Sequence, residues 1–102
     1  MTRLTADHRR AQIFHAARTL SCAGNLYVWT LDDVAEFVKM TVPGVRYYFY
    51  SVSGLRAEII TGAIDGRDLD IIGQAVAAHD PLVSDIAPAL RDKAVQFLAT
   101  KG

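Results

Sequence analysis

The residues best suited to chemistry lie close together between Thr30 and Tyr48. Thr30 and Thr41 each precede an apolar helical pattern. We expect each to cap a helix whose positive end and free N–H groups favour an anion such as phosphate. Arg46 can donate to phosphate or form two hydrogen bonds to guanine, and the Tyr47 and Tyr48 hydroxyls can donate to phosphate oxygens. These residue types predict a surface that contacts double-stranded DNA.

Two short helices are needed to position this surface. Leucine, valine and alanine at helical spacing predict one helix from Thr30, with Asp33 completing a capping-box pair, that ends near Lys39. After a short turn, Thr41 is expected to cap the next helix, which extends to Tyr48 or Phe49. Pro43 falls in its first turn, where a missing N–H costs no helical hydrogen bond. The pattern predicts a helix-turn-helix.

The same periodicity predicts helices on both sides of this unit. Upstream, a helix over about residues 7–22 is capped by Thr5 or Asp7, and residues 26–29 form a loop whose aromatic side chains pack on the helices. Downstream, Ser53 is expected to cap a helix that breaks near Gly66 and resumes through residues 69–76. We therefore expect an all-α bundle of about five helices.

A last helix is expected to begin at Ser84 or Asp85, with Pro88 within or near its first turn. Its apolar residues recur on one face, which predicts a packing surface. We expect this face to form a homodimer interface through Ile86, Leu90, Ala94, Phe97 and Leu98.

Composition supports a folded chain with two electrically different halves. Of the 102 residues, 51% are hydrophobic and 22% charged, which excludes a disordered chain. The formal net charge is zero, but residues 1–56 carry seven Lys or Arg against four Asp or Glu, a net charge of +3. Residues 57–102 carry four against seven, a net charge of −3. We expect the DNA-binding region at residues 1–52 and the dimerisation helices at residues 53–102, in one compact domain.

The order of residue types from Thr30 to Leu55 resembles the helix-turn-helix of TetR-type transcriptional regulators. Val34-Ala35 corresponds to that family's Val-Ala or Ile-Ala pair, and Met40-Thr41 to the Val-Ser of its turn. Tyr48-Phe49 corresponds to the aromatic end of its recognition helix. The resemblance covers about residues 8–60. It implies a dimeric repressor that contacts DNA through Thr30, Lys39, Thr41, Val42, Pro43, Gly44, Arg46, Tyr47 and Tyr48.

The sequence departs from the family pattern at a few informative positions. Lys39 occupies the place of the turn glycine, so a left-handed backbone there costs about 1 kcal/mol or more. Gly44 replaces a common Thr, Arg46 a common Tyr, and Val52 a common Lys that would contact phosphate. Only about 45 residues follow the resemblance, too few for the family's ligand-binding domain. We therefore expect no small-molecule effector.

Other chemistries find little support. The three histidines share no spacing with acidic partners, and Asp65, Asp68 and Asp70 lack the pattern of a calcium loop. No glycine-rich phosphate loop or nucleophile motif is present, so we expect no enzyme, no metal and no cofactor. Cys22, the sole cysteine, is expected to be a buried apolar residue of a cytoplasmic protein.

Two alternative functions remain open. Zero net charge, Gly44 and Val52 also fit a protein-interaction module with a degenerate helix-turn-helix. The chain also fits a DNA-binding subunit of a phage or plasmid packaging or replication complex.

Overall fold

The computed structural model describes residues 5–101, and within that range the protein is all-helical. This confirms the predicted class. A 3₁₀ turn at Pro81–Val83 accompanies six α-helices in this range: α1 (Ala6–Ala23), α2 (Leu31–Val38), α3 (Val42–Tyr48), α4 (Val52–Gly66), α5 (Leu69–Ala77) and α6 (Pro88–Lys101). The count exceeds five because the predicted break after Gly66 separates α4 from α5. None of these helices is long and apolar enough to cross a membrane.

The chain divides into two compact units, Met1–Arg56 and Ala57–Gly102. The first contains α1, α2, α3 and the first turn of α4. The second contains the rest of α4, then α5, the 3₁₀ turn and α6. The predicted boundary lies four residues earlier, between residues 52 and 53.

In the first unit, α2 packs against both α1 and α3. Thr5 caps α1 by accepting a hydrogen bond from the His8 amide at 3.2 Å. Apolar residues at helical spacing place one face of α1 and of α2 inward, which provides most of the core. The buried side chains of this unit include Ile13, Ala16, Ala17, Leu26, Trp29, Leu31, Val34, Ala35, Val45, Phe49 and Leu55.

The loop between α1 and α2 is fixed by its aromatic residues, as the sequence analysis expected. Trp29 is buried and donates a 2.7 Å hydrogen bond from its indole nitrogen to the Ser21 hydroxyl. The Arg56 guanidinium lies 5.0 Å from the centre of the Tyr27 ring, and its Nε donates to the Leu26 carbonyl at 3.1 Å. Because Trp29 directly precedes Thr30, these contacts fix the point where α2 begins.

Two predicted side-chain environments need correction. Ser53 does not cap α4, because the Ser51 hydroxyl accepts the Gly54 amide at 3.0 Å and α4 already begins at Val52. Cys22 is half-buried rather than buried, because it lies in the last turn of α1, next to the exposed residues Ala23 and Gly24.

In the second unit, α5 and α6 form the principal helix pair. Asp68 caps α5, and Gly73 allows α5 to approach α6 closely: a Cβ atom at Gly73 would lie 2.7 Å from the Ala94 carbonyl oxygen. A 2.6 Å salt bridge joins Lys101 to Asp70 at the exposed edge. The core of this unit includes Ile59, Ile60, Ala63, Ile71, Ile72, Ala75, Val83, Leu90 and Ala94.

The last helix begins later than the sequence predicted. Pro88 is the first residue of α6, rather than a residue within a helix begun at Ser84 or Asp85. The Ser84 hydroxyl donates to the Pro81 carbonyl at 2.8 Å, so it closes the preceding 3₁₀ turn instead of capping α6. Proline also disfavours a helical conformation at the residue before it, here Ala87.

Candidate nucleic-acid interface

The segment from α2 to α3, which the sequence predicts to be a helix-turn-helix, begins with a complete capping box. The Thr30 hydroxyl accepts the Asp33 amide at 3.3 Å, and the Asp33 carboxylate accepts the Thr30 amide at 2.8 Å. Thr41 caps α3 in the simpler way, with its hydroxyl accepting the Gly44 amide at 3.2 Å. Both caps confirm the sequence interpretation. They fix where the two helices start, and therefore which residues face outward.

The turn between α2 and α3 is a Schellman motif centred on Lys39. The Met40 amide donates to the Ala35 carbonyl at 2.9 Å, and the Lys39 amide donates to the Glu36 carbonyl at 3.3 Å. Lys39 has φ 58° and ψ 47°, the left-handed conformation that glycine usually provides at this position. The expected strain at Lys39 is therefore present, and its side chain is exposed at the turn.

Helix α3 presents one buried and one exposed face. Val45 is fully buried and Phe49 is 3% exposed, so these two residues anchor the helix to the core. Arg46 and Tyr47 project outward, with Tyr47 82% exposed. Tyr48 is half-buried, and its ring meets that of Tyr47 edge to face at 5.0 Å between centroids. Successive helical residues lie about 100° apart, so helix geometry alone requires that a buried Phe49 leave other residues of this aromatic run, such as Tyr47, exposed.

The start of α3 offers an accessible but mostly apolar surface. Pro43 is exposed, whereas Val42 and Gly44 are half-buried. At Gly44 an added Cβ would lie 3.2 Å from both the Met40 methyl and the Thr41 hydroxyl, so a larger residue would crowd the cap. Arg46 is the one cationic side chain on α3, and Lys39 lies at the turn that precedes the helix.

Two further residues, Tyr50 and Arg10, lie at the end of α3 and were not predicted as part of the candidate interface. Tyr50 is 90% exposed directly after α3, and its hydroxyl adds a further possible donor at the same edge. Its signal was present in the run of four aromatic residues, since the residue after a buried Phe49 must point elsewhere. Arg10 is exposed on α1, and its guanidinium lies over the Phe49 ring, 4.3 Å from the ring centroid, at the end of α3.

Acidic residues limit how far this positive surface extends. Asp32 and Glu36 are exposed on α2, and Asp33 is committed to the capping box. The cationic and hydroxyl groups are therefore concentrated at the turn and along α3.

The expected dimer residues are divided between interior and surface. Leu90 is 9% exposed and Ala94 is fully buried within this single chain, which leaves them little area to offer a second copy. Ile86 and Leu98 are half-buried, and Phe97 is 39% exposed. Val95, which the sequence analysis did not select, is 47% exposed on the same helix.

Within residues 5–101, no group of three His, Cys, Asp or Glu residues is arranged to hold a metal ion. Of the aspartates that lack a calcium-loop pattern, Asp68 caps α5 and Asp70 pairs with Lys101.

Comparison with known proteins adds no assignment, because no protein-family model, no curated protein and no solved structure matches this chain.

Proposed function

We propose that the protein binds double-stranded DNA through α2, the Lys39 turn and α3, and acts as a small dimeric transcriptional repressor. The observation that carries this proposal is the outward edge formed by Arg46 and Tyr47 on a short helix anchored by Val45 and Phe49. An anchored helix with a cation and hydroxyls on its free face matches the way recognition helices meet the major groove.

The donor chemistry of this edge fits a duplex. Arg46 can bond to guanine through two hydrogen bonds or to a phosphate, and the Tyr47 hydroxyl can donate to a phosphate oxygen. Lys39 supplies a second cation at the turn. Val42 and Pro43 add apolar contact of the kind that suits thymine methyl groups. The preferred site is therefore expected to contain guanine beside thymine.

A homodimer follows from the small size of the recognition element. Helix α3 has seven residues, so one copy contacts only a few base pairs. A two-fold dimer would place two such helices in successive major grooves about 34–36 Å apart. Phe97 and Val95 on α6 are the exposed apolar residues that we propose for the dimer contact.

Selection of bound fragments from a random duplex pool tests this function. We expect an enriched sequence with two-fold symmetry and a half-site spacing near one helical turn. An enriched site without symmetry would overturn the dimer, and failure to enrich any sequence would overturn specific recognition.

A protein-interaction module is the second candidate, favoured by the exposed Asp32 and Glu36 on α2. These carboxylates would repel phosphate but suit a basic protein surface. The two candidate functions differ in whether the protein retains DNA at low salt. The module predicts no DNA retention even at low salt, where contacts to phosphate are strongest.

A further inference from the structure

A groove of about 610 Å³ lies in the first unit, between the N-terminal two thirds of α1 and the end of α2. It is separate from the Arg46–Tyr47 edge, but it reaches Lys39 at the turn. Its volume is within the range of about 300–1,000 Å³ typical of small-molecule sites. The residues that give it chemical character are His8, Gln12, His15, Phe37 and Lys39.

Phe37 gives the groove an apolar wall that the fold does not need for its own core. Its side chain is 53% exposed, although it belongs to a helix whose inward face is fully supplied by Leu31, Val34 and Ala35. Ala11, Ala16 and Val38 continue the apolar lining. A bound apolar group would cover Phe37, and removal of that surface from water would stabilise the complex.

The polar part of the lining is a set of potential hydrogen-bond donors. Lys39 is a cation, His8 and His15 carry imidazoles on one face of α1, and Gln12 lies between them with an amide. None of the described residues that line the groove is acidic. The carboxylates of Asp33 and Glu36 border a different depression, on the Leu20 side of Phe37. The charge pattern therefore favours an anion.

We infer that this groove binds a small organic anion with an apolar body, of the class represented by medium-chain fatty carboxylates. The apolar body lies along Phe37 and the alanines of α1, and the anionic group is held by Lys39, with an imidazole of α1 as a second donor. Because Lys39 belongs both to the groove and to the turn before α3, the bound anion also removes one cation from the DNA-binding surface. It would then act as a small-molecule effector, which the sequence did not lead us to expect. Only this second step depends on the proposed function.

Decanoate, below its micelle-forming concentration, is a suitable probe for isothermal titration calorimetry on the full chain. We expect one molecule to bind per chain, and decyltrimethylammonium, with the same tail and a cationic head, to bind at least tenfold more weakly. Gln12→Glu places a carboxylate in the groove with almost no change in shape. It should weaken decanoate about fivefold through charge repulsion.

Matched variants separate the groove from general effects. Gln96→Glu makes the same charge change on exposed α6 and should leave decanoate affinity unchanged. Phe37→Ser should weaken decanoate about tenfold or more, whereas Val28→Ser, at an exposed loop residue outside the groove lining, should not. Retained helicity by circular dichroism shows that each variant is folded.

Three results would overturn the inference: no decanoate binding, equal affinity for the two head groups, or unchanged decanoate affinity in Gln12→Glu. A fourth would be a dimer that dissociates in Phe37→Ser, because the groove would then be an interface between copies. Loss of DNA affinity on addition of decanoate supports the coupling through Lys39. If the protein binds no DNA but still prefers decanoate, the repressor proposal fails and the anion site stands.

Discussion

The indole nitrogen of Trp29 donates to the hydroxyl of Ser21 at 2.7 Å, and that hydroxyl donates in turn to the Ala17 carbonyl at 2.8 Å. Ser21 is fully buried, and these two hydrogen bonds connect α1 to Trp29, the residue directly before the Thr30 cap. The hydrogen bond therefore links the interior of the first unit to the start of α2, and through it to the proposed DNA surface.

Ser21→Ala is expected to lower the free energy of unfolding by about 1–3 kcal/mol, because it leaves the buried Trp29 N–H without its acceptor. Thr61→Ala is the matched control. Thr61 also donates to a carbonyl four residues back, at 2.8 Å, but on an exposed surface where water replaces the bond. Urea denaturation measures both. Equal costs for the two variants would show that the Trp29 contact adds nothing.

Two substitutions at the start of α4 compare the observed cap, Ser51, with the predicted cap, Ser53. Ser51→Ala should cost about 1 kcal/mol of unfolding free energy, because the Gly54 amide loses its acceptor. Ser53→Ala should be neutral or slightly stabilising, since Ser53 is exposed in the first turn and alanine favours a helix. Urea denaturation curves compare the two variants. If Ser53→Ala is the more destabilising of the two substitutions, Ser53 rather than Ser51 caps α4.

The left-handed residue at the turn is expected to respond to glycine. Lys39→Gly should be more stable than Lys39→Ala by about 1 kcal/mol, because glycine adopts φ 58° without the clash that a Cβ atom brings. At Lys93, within α6, the same pair should reverse, with alanine more stable by about 1 kcal/mol. Thermal unfolding of all four variants checks this. If glycine is not the more stable residue at position 39, the turn is not strained.

Close packing of α5 on α6 gives a second matched pair of glycines. Gly73→Ala should cost about 1–3 kcal/mol, since the new Cβ would lie 2.7 Å from the Ala94 carbonyl oxygen and the helices must separate. Gly66→Ala meets nothing within 4 Å and should be neutral or stabilise by up to about 1 kcal/mol. Chemical denaturation distinguishes them. A tolerated Gly73→Ala would mean that this contact can relax freely.

How much of this fold could be predicted depended on whether the signal was local. Thr30 and Thr41 could be predicted as caps because a helix cap depends on the types of three or four neighbouring residues. The prediction of Ser53 as the cap of α4 was wrong because Ser51 and Ser53 both have the right residue type, and only the path of the chain after Phe49 decides between them. The start of α6 was predicted too early for a similar reason. Ser84 has the residue type of a helix cap, but its hydroxyl donates a hydrogen bond back to the Pro81 carbonyl.

Long-range packing was less accessible to the sequence analysis. The stripe that includes Leu90 and Ala94 was correctly read as apolar, but periodicity does not say whether a stripe meets another helix of the same chain or a second copy. A glycine inside a helix has no local signature of close packing, and the role of Gly73 is visible only where α5 approaches Ala94. In the candidate site, the exposure of Tyr47 followed from helix geometry, whereas the contact between Arg10 and Phe49 joins residues far apart in sequence.

The most direct test of the central claim is a fluorescence anisotropy titration of a labelled duplex bearing the selected site. We expect wild-type affinity to fall as salt rises, because bound Lys and Arg displace counterions. Arg46→Ala/Tyr47→Ala should weaken binding at least about tenfold with unchanged helicity. Lys93→Ala, which removes an exposed cation from α6, should bind as the wild type does. Equal loss in Lys93→Ala, or full affinity in the double variant, would contradict recognition of DNA by α3.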